Sequence, residues 1–166
     1  MRLARRADAR AWHALQQAIY DEGKAFVGDG PASERALADR LQFAARHSAT
    51  VWLAERSGEL VGWCEAARLG AARLEHVAML TVAVAEHSRR RGVGSALLAE
   101  AERWAREQRV RKLSLHVRAG NEAALALYRR AGFVVEGVER GHVRDGASFE
   151  DNVVMAKHLV APEAPA

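Results

Sequence analysis

The stretch "LEHVAMLTVAVAEHSRRRGVGSALLAEAERWAREQ", residues 74 to 108, constrains the fold more than any other part of the chain. It opens with a largely apolar run, 74 to 84, of the kind buried in the middle of a sheet. It closes with a helical apolar period over Val93 to Gln108, with Leu97, Ala101 and Trp104 in register. Between the two, three arginines run into Gly92 and Gly94. Arginines repel one another, and glycine starts a helix poorly unless something must come close to the backbone. A strand that turns through such a junction into an amphipathic helix commits the chain to helix packed on sheet.

The remaining segments fit that plan. Met1 to Arg5 reads as a first strand. Asp8 is a candidate N-cap for a helix to about Tyr20, with Trp12, Leu15 and Ile19 on one face. Residues 21 to 31, "DEGKAFVGDGP", read as a loop, and Ser33 precedes a second helix over Arg35 to His47. "TVWLAER" and "ELVGWCEAARL" form a hairpin around Ser57-Gly58. "KLSLHV" is a further strand, and "NEAALALYRRAG" a short helix stopped by Gly132. "FVVEGVERGHVR" and "ASFEDNVVMAKHL" close the chain as a hairpin around Asp145-Gly146. The expectation is one α/β domain over residues 1–160, with a mixed, mostly antiparallel central sheet flanked by helices. Residues 161–166, "APEAPA", are expected to be a disordered tail.

Composition excludes several classes. Apolar residues make up 49% and charged residues 28% of the 166, an ordinary globular balance. No apolar run approaches the roughly 20 residues that span a bilayer, so no membrane partner is expected. The basic N-terminus lacks the apolar core of a secretion signal. The single Cys64 has no disulfide partner, which points to a reducing, cytoplasmic setting. The net charge of +4 suits an anionic ligand. Most basic residues alternate with acids, and the one uninterrupted run is Arg89 to Arg91. Nucleic acid is therefore the weaker inference, with duplex binding at steep salt dependence as its signature. Seven scattered histidines and a lone cysteine give no metal-ligand spacing, and no metal is expected.

Strand, turn, glycines and helix together make an anion site. The first N–H groups of a helix lack intrahelical acceptors, and the helix dipole adds positive potential there. Two familiar phosphate loops fail. A dinucleotide fingerprint needs glycine three places after Gly94, where Leu97 stands. A P-loop begun at Gly92 needs Gly, Lys and Ser or Thr where the chain has Leu97, Leu98 and Ala99.

"RRRGVG", read as Arg89-x-x-Gly92-x-Gly94, resembles the acyl-CoA loop of the GCN5-related N-acetyltransferases. "GNEAALALYRRAGF" resembles that family's next signature, through Asn121, Ala124, Tyr128, Gly132 and Phe133. The order of elements from about Val51 to Leu159 agrees. The resemblance implies the GNAT fold, acetyl-CoA as donor and an amine as acceptor. It implies that the amides from about Arg90 to Ser95 cradle the coenzyme A pyrophosphate, with the arginine side chains near its other phosphate. That assigns Arg89, Arg90, Arg91, Gly92, Val93, Gly94 and Ser95 to the cofactor. It also implies that the backbone of Val82 and Val84 pairs with the pantetheine arm, and that Asn121 bonds it or orders the helix. Arg90 stands where many members have glycine, which makes this loop more basic.

Acetyl transfer needs a neutral nitrogen, a polarised thioester carbonyl and a proton for the departing thiolate. The resemblance implies direct attack, with Tyr128 protonating the sulfur. Cys64, without an activating motif, reads as a buried small residue. The base is left open. Histidine is the side chain that changes charge in the physiological range. His76, with Ala78, Leu80, Val82 and Val84 on its face, is the first candidate. Glu75, His116 or an ordered water are the others. Asp21, Glu22, Glu150 and Asp151 read as solvated carboxylates, or alternatively as attractants for a cationic amine. The closing hairpin resembles small-molecule and amino-acid acetyltransferases. The expected reaction is therefore acetylation of a small primary amine such as an amino acid or amine antibiotic. Protein N-terminal or lysine acetylation and a non-catalytic acyl-CoA sensor are the alternatives. Homodimers are common in the family, and no interface is legible.

Overall fold

The structure, a computed structural model, describes residues 1–160 apart from Lys24, Asp29 and residues 45–48. Among them, seven strands form one sheet in the order β1-β2-β3-β4-β5-β7-β6. The strands are β1 (Arg2–Leu3), β2 (Ala49–Arg56), β3 (Glu59–Arg68), β4 (Val77–Val84), β5 (Lys112–Arg118), β6 (Val134–Asp145) and β7 (Ser148–His158). The helices are α1 (Ala9–Asp21), α2 (Glu34–Ala44), α3 (Val93–Glu107) and α4 (Glu122–Arg130). The expected tail and the end of the expected second helix fall outside the described residues.

Alternation along the strands divides the core in two. Val51, Leu53, Trp63 and Ala83 pack under α1 and α2, against Trp12, Leu15, Ile19 and Leu37. Trp52, Cys64, Ala66 and Leu80 pack on the opposite face, under Leu97, Leu98 and Ala101 of α3 and Leu125 and Tyr128 of α4. Successive strand side chains point to opposite faces, so one strand serves both cores. Ser57 and Gly58, with φ of 51° and 82°, turn β2 into β3 as a tight hairpin of this kind requires.

The first helix starts differently from the reading above. Asp8 itself has helical backbone angles and makes no cap bond to α1. It ends a 3-10 turn over Arg6–Asp8, where its carboxylate accepts from the Arg5 amide at 2.7 Å. It also accepts both forks of Arg2, at 2.8 Å each, and so ties β1 to α1. The Arg2 guanidinium holds this carboxyl below the ordinary 3.8. A depressed carboxylate stabilises above its ordinary value, and that contribution is lost as pH falls through the folded value. Asp8→Asn is expected to cost about 1 kcal/mol at neutral pH, a figure held down by the exposure of Arg2. Its stability loss relative to wild type should shrink in acid unfolding curves taken below pH 3.8.

Candidate active site

The site begins as a defect in the sheet. β4 and β5 are the parallel pair, and they stay in register only over Val77↔Lys112, Ala78↔Leu113 and Met79↔Ser114. Beyond Met79, β4 follows β3 as far as Gly62↔Val84, while β5 follows β7 as far as Arg118↔Asn152. The two strands thus part like a V. The Val77 carbonyl is taken by Leu69 on the β3 side. Strand alternation then turns the peptide groups of Leu80, Val82 and Val84 toward the opening. A cavity of about 800 Å³ fills it, walled by residues 79–84 of β4 and 116–118 of β5.

The glycine loop crosses one end of this cavity. Gly92 caps α3 with φ of 82°, and Arg90 is also left-handed at 57°. The first helical bond is Ala96 N–H to the Gly92 carbonyl, at 3.0 Å. The amides of residues 93 to 95 therefore precede the helical ladder and carry the positive end of the α3 dipole. No atom lies within 4 Å of the place where a Cβ on Gly92 would stand, so the backbone is open to a phosphate. Gly94 is different: a Cβ there would meet Leu127 Cδ2 of α4 at 2.8 Å. One glycine admits a ligand and the other admits a helix.

The arginine run divides. Arg89 Nε donates to the Val84 carbonyl at 2.9 Å, and its other fork binds the Glu22 carboxylate. Its charge is therefore committed to the end of α1. Arg89 and Arg90 line the cavity, as do Gly92, Gly94, Ser95, Val82, Val84, Asn121 and Tyr128. Arg91 and Val93 are not among the lining residues. Asn121 caps α4, its side-chain oxygen accepting from Ala124 N–H at 3.2 Å. Tyr128 is buried at 6% exposure, with Phe133 tilted against it at 5.8 Å between ring centres. Burial pushes the phenol upward, and neighbouring Cys64 adds to that. Burial likewise pushes the Cys64 thiol upward, which disfavours a thiolate nucleophile.

On the other side Arg118, only 9% exposed, ties three segments together. It donates to Glu150 at 2.7 Å, to Asp145 at 2.6 Å and to the Gly23 carbonyl after α1 at 2.8 Å. Glu150 in turn accepts the Gly120 amide at 2.5 Å. Asp151 accepts Gly141 N–H at 2.8 Å and Arg140 at 2.6 Å, while Asp21 accepts Gln17 at 2.8 Å. Of the four carboxylates read above as solvated, or as attractants for an amine, Glu22, Glu150 and Asp151 thus hold arginines or backbone in place, and Asp21 holds Gln17 on the exposed surface.

The bond to Gly141 explains a polar cluster that has no linear signature. Pairing on β6 jumps from Glu139↔Asn152 to Val143↔Glu150, so β6 carries two extra residues, and Gly141 bends with φ of 57°. Across the bulge, Asn152 Nδ2 donates to Glu139 Oε2 at 2.6 Å and lies 3.3 Å from His116 Nδ1. Glu139 Oε2 is 3.8 Å from a ring nitrogen of both His116 and His142. His116, His142 and Asn152 line the cavity. The only hint in the sequence is Gly141 inside a strand pattern. A smaller recess of about 220 Å³ shares Phe26, Val27 and Thr81 with the cavity. On its wall burial pushes Glu65 upward, against Arg40 at 3.1 Å.

His76 is not brought to this site. The chain makes a 3-10 turn at Ala72–Leu74, and Glu75 keeps helical angles, so β4 starts at Val77 rather than at residue 74. His76 is exposed, and its carbonyl accepts the amides of Arg111 and Lys112 at the closed end of the V. Glu75 lies beside it, 3.8 Å from Arg68. Of the candidate bases, His116 is the side chain on the cavity wall.

Known proteins share this arrangement. The model of the acetyltransferase (GNAT) family matches residues 11–133. The N-alpha-acetyltransferase RimI of Mycobacterium tuberculosis is 37% identical over 123 residues, 74% of each chain. A crystal structure of ribosomal-protein-alanine N-acetyltransferase from Brucella melitensis superposes with TM-score 0.87 at 30% identity, covering 95% of this chain and 98% of that one. The structure of yncA, a putative acetyltransferase of Salmonella typhimurium with its cofactor acetyl-CoA, gives TM-score 0.89 at 18% identity, over 99% and 96%, and so shares the fold. Among the described residues no helix is long and apolar enough to cross a membrane. With the family model spanning most of the chain and a relative matching it over about three quarters of its length, this protein belongs to the acetyltransferase (GNAT) family.

Proposed function

We propose that the protein acetylates the α-amino group at a peptide or protein N terminus, by direct transfer inside the V between β4 and β5. The parting of these strands beside an open glycine loop is the observation that carries the site assignment. The amides of residues 90 to 95 hold the pyrophosphate, and the backbone of Leu80 and Val82 pairs with the pantetheine arm, Leu80 standing in for the Val84 expected above, whose carbonyl is taken by Arg89. Arg89 keeps the loop in place, since its side chain is spent on Val84 and Glu22. His116 replaces His76 as base. As the neutral imidazole it takes the proton of the attacking amine. The carbon–sulfur bond breaks as Tyr128 gives its proton to the sulfur. The products are the N-acetyl amide and the free thiol. His116 passes its proton to solvent, and Tyr128 recovers one from there.

The acceptor class is supported by the 37% identity to an N-alpha-acetyltransferase over 74% of the chain. That puts a peptide amine ahead of the small amine suggested by the closing hairpin. A small cationic amine is the second reading, favoured by the Glu139 carboxylate beside the cavity.

The test is thiol release from acetyl-CoA with alanine-first peptides beside free amino acids and polyamines. Turnover with peptides and not with free amines supports the reading; the reverse overturns it. The loop is tested separately. Gly92→Val places a β-branched residue in a left-handed conformation, which costs about 1–2 kcal/mol and collapses the cradle. Acetyl-CoA is expected to bind at least about tenfold more weakly, one such factor being about 1.4 kcal/mol. Calorimetric titration showing unchanged affinity places the pyrophosphate elsewhere.

A further inference from the structure

We infer that the smaller recess beside the cavity takes a cationic side chain of the acceptor peptide, a lysine or arginine just after the acetylated residue, and holds it on Glu65 and Gln16. The inference rests on the N-terminal reading above and names a side chain that reading leaves open.

Two helices and two strands build the recess. Glu65 and Trp63 share a face of β3, and Thr81 stands opposite Glu65 on β4. Gln16 and Tyr20 lie one turn apart on α1, and Arg40 comes from α2. The volume of about 220 Å³ is below the roughly 300–1,000 Å³ of pockets for whole small ligands, and it suits one long side chain. The recess adjoins the reaction site, since Phe26, Val27 and Thr81 line both spaces.

Two polar groups in it are open. Gln16 is only 7% exposed, and its side-chain amide has no hydrogen-bond partner among the described residues. Both polar atoms of that amide nevertheless keep accessible surface, unlike Trp12 Nε1 and Asn152 Oδ1, and the space that Gln16 lines is this recess. Glu65 has one oxygen 3.1 Å from Arg40, whose own side chain is 55% exposed. Its Oε2 has no partner among the described residues and also keeps accessible surface. An ionised carboxylate only accepts, so the group that completes it is a donor.

Charge selects among donors. Burial pushes Glu65 upward in spite of Arg40, so the recess remains short of positive charge. An ammonium or guanidinium supplies it, donating to Glu65 Oε2 and to the Gln16 carbonyl. Tyr20, Phe26 and Trp63 line the same recess, stacked in series at 4.6 and 5.7 Å between ring centres. They give the alkyl stem of a lysine or arginine an apolar wall while its head reaches the carboxylate.

The experiment uses alanine-first peptides with a single lysine at the second or third position, beside the same peptides with norleucine there, on wild type and Glu65→Gln. In wild type, lysine at one of the two positions is expected to raise kcat/KM at least about tenfold over norleucine, the worth of one hydrogen bond to a charged group. In Glu65→Gln that ratio should fall to within about twofold of unity, the scatter of ordinary surface effects. No preference in wild type at either position overturns the inference. A purely structural role lowers both peptides alike and leaves the ratio where it was, and that result overturns it too. Should Glu65→Gln not fold, Gln16→Leu carries the test: it removes the open amide, the ratio should again fall, and an unchanged ratio overturns the inference. If wild type acetylates small amines and no peptide, the N-terminal reading fails by itself. The comparison is then made with cadaverine and pentylamine, the second amine of cadaverine standing where the lysine would, and a ratio unmoved by Glu65→Gln overturns the inference separately.

Discussion

Tyr128→Phe is expected to lower kcat about 100-fold at neutral pH, at the low end of what one positioned acid contributes. The acetyl-CoA KM should barely move. The ring stays, and it is the ring that packs on Phe133 and under α4. What is lost is one proton, held on a phenol whose burial keeps it protonated across the working range. Single-turnover thiol release isolates the step. A variant that matches wild type would show that the departing sulfur takes its proton from water, and Tyr128 would then be a packing residue at the cavity wall. Cys64 gives no thiolate nucleophile in its place, because the same burial pushes its thiol upward.

Arg118→Met is expected to cost about 3 kcal/mol, the range for removing one partner of a buried ion pair. For a domain of this size that is a fall in Tm of roughly 6 to 12 °C. Methionine fills much of the volume, so the loss is electrostatic. Glu150 would keep the Gly120 amide but lose its counter-charge, and the Gly23 carbonyl and Asp145 would lose their donor. The hairpin of β6 and β7 and the end of α1 are joined through this guanidinium, and both border the cavity where the acceptor is proposed to bind. Steady-state kinetics on the folded variant should therefore show the acceptor KM rising by more than the acetyl-CoA KM. Equal stability by denaturant melts would mean that the three segments are held by their own strands.

The two arginines of the site illustrate a general point about charge runs. Arg89 and Arg118 come from opposite arms of the V, yet both end at the C-terminus of α1, on Glu22 and on the Gly23 carbonyl. In the sequence Arg89 reads as a phosphate-binding residue, and Arg118 merely follows the strand "KLSLHV". Neither partner is near in the chain, since Arg89 reaches across 67 residues and Arg118 across 95.

By itself, the sequence indicated most of the elements and marked the glycine loop that crosses one end of the cavity. Apolar period decided helix against strand, glycine decided where the chain turns, and Arg89-x-x-Gly92-x-Gly94 lies within ten residues of the strand it serves. These are local constraints, set by backbone conformation and by spacing along one segment. The start of β4 was misread because an apolar run does not reveal a 3-10 turn that precedes it, and His76 was carried along with that error. The grouping around His116, itself one of the candidate bases in the sequence, was decided by tertiary structure. His116, Glu139, His142 and Asn152 come from three strands and meet only because β5 leaves β4, pairs with β7, and faces a bulge of two residues in β6. Pairing register and strand divergence are set by packing between distant segments, and linear spacing carries no record of them.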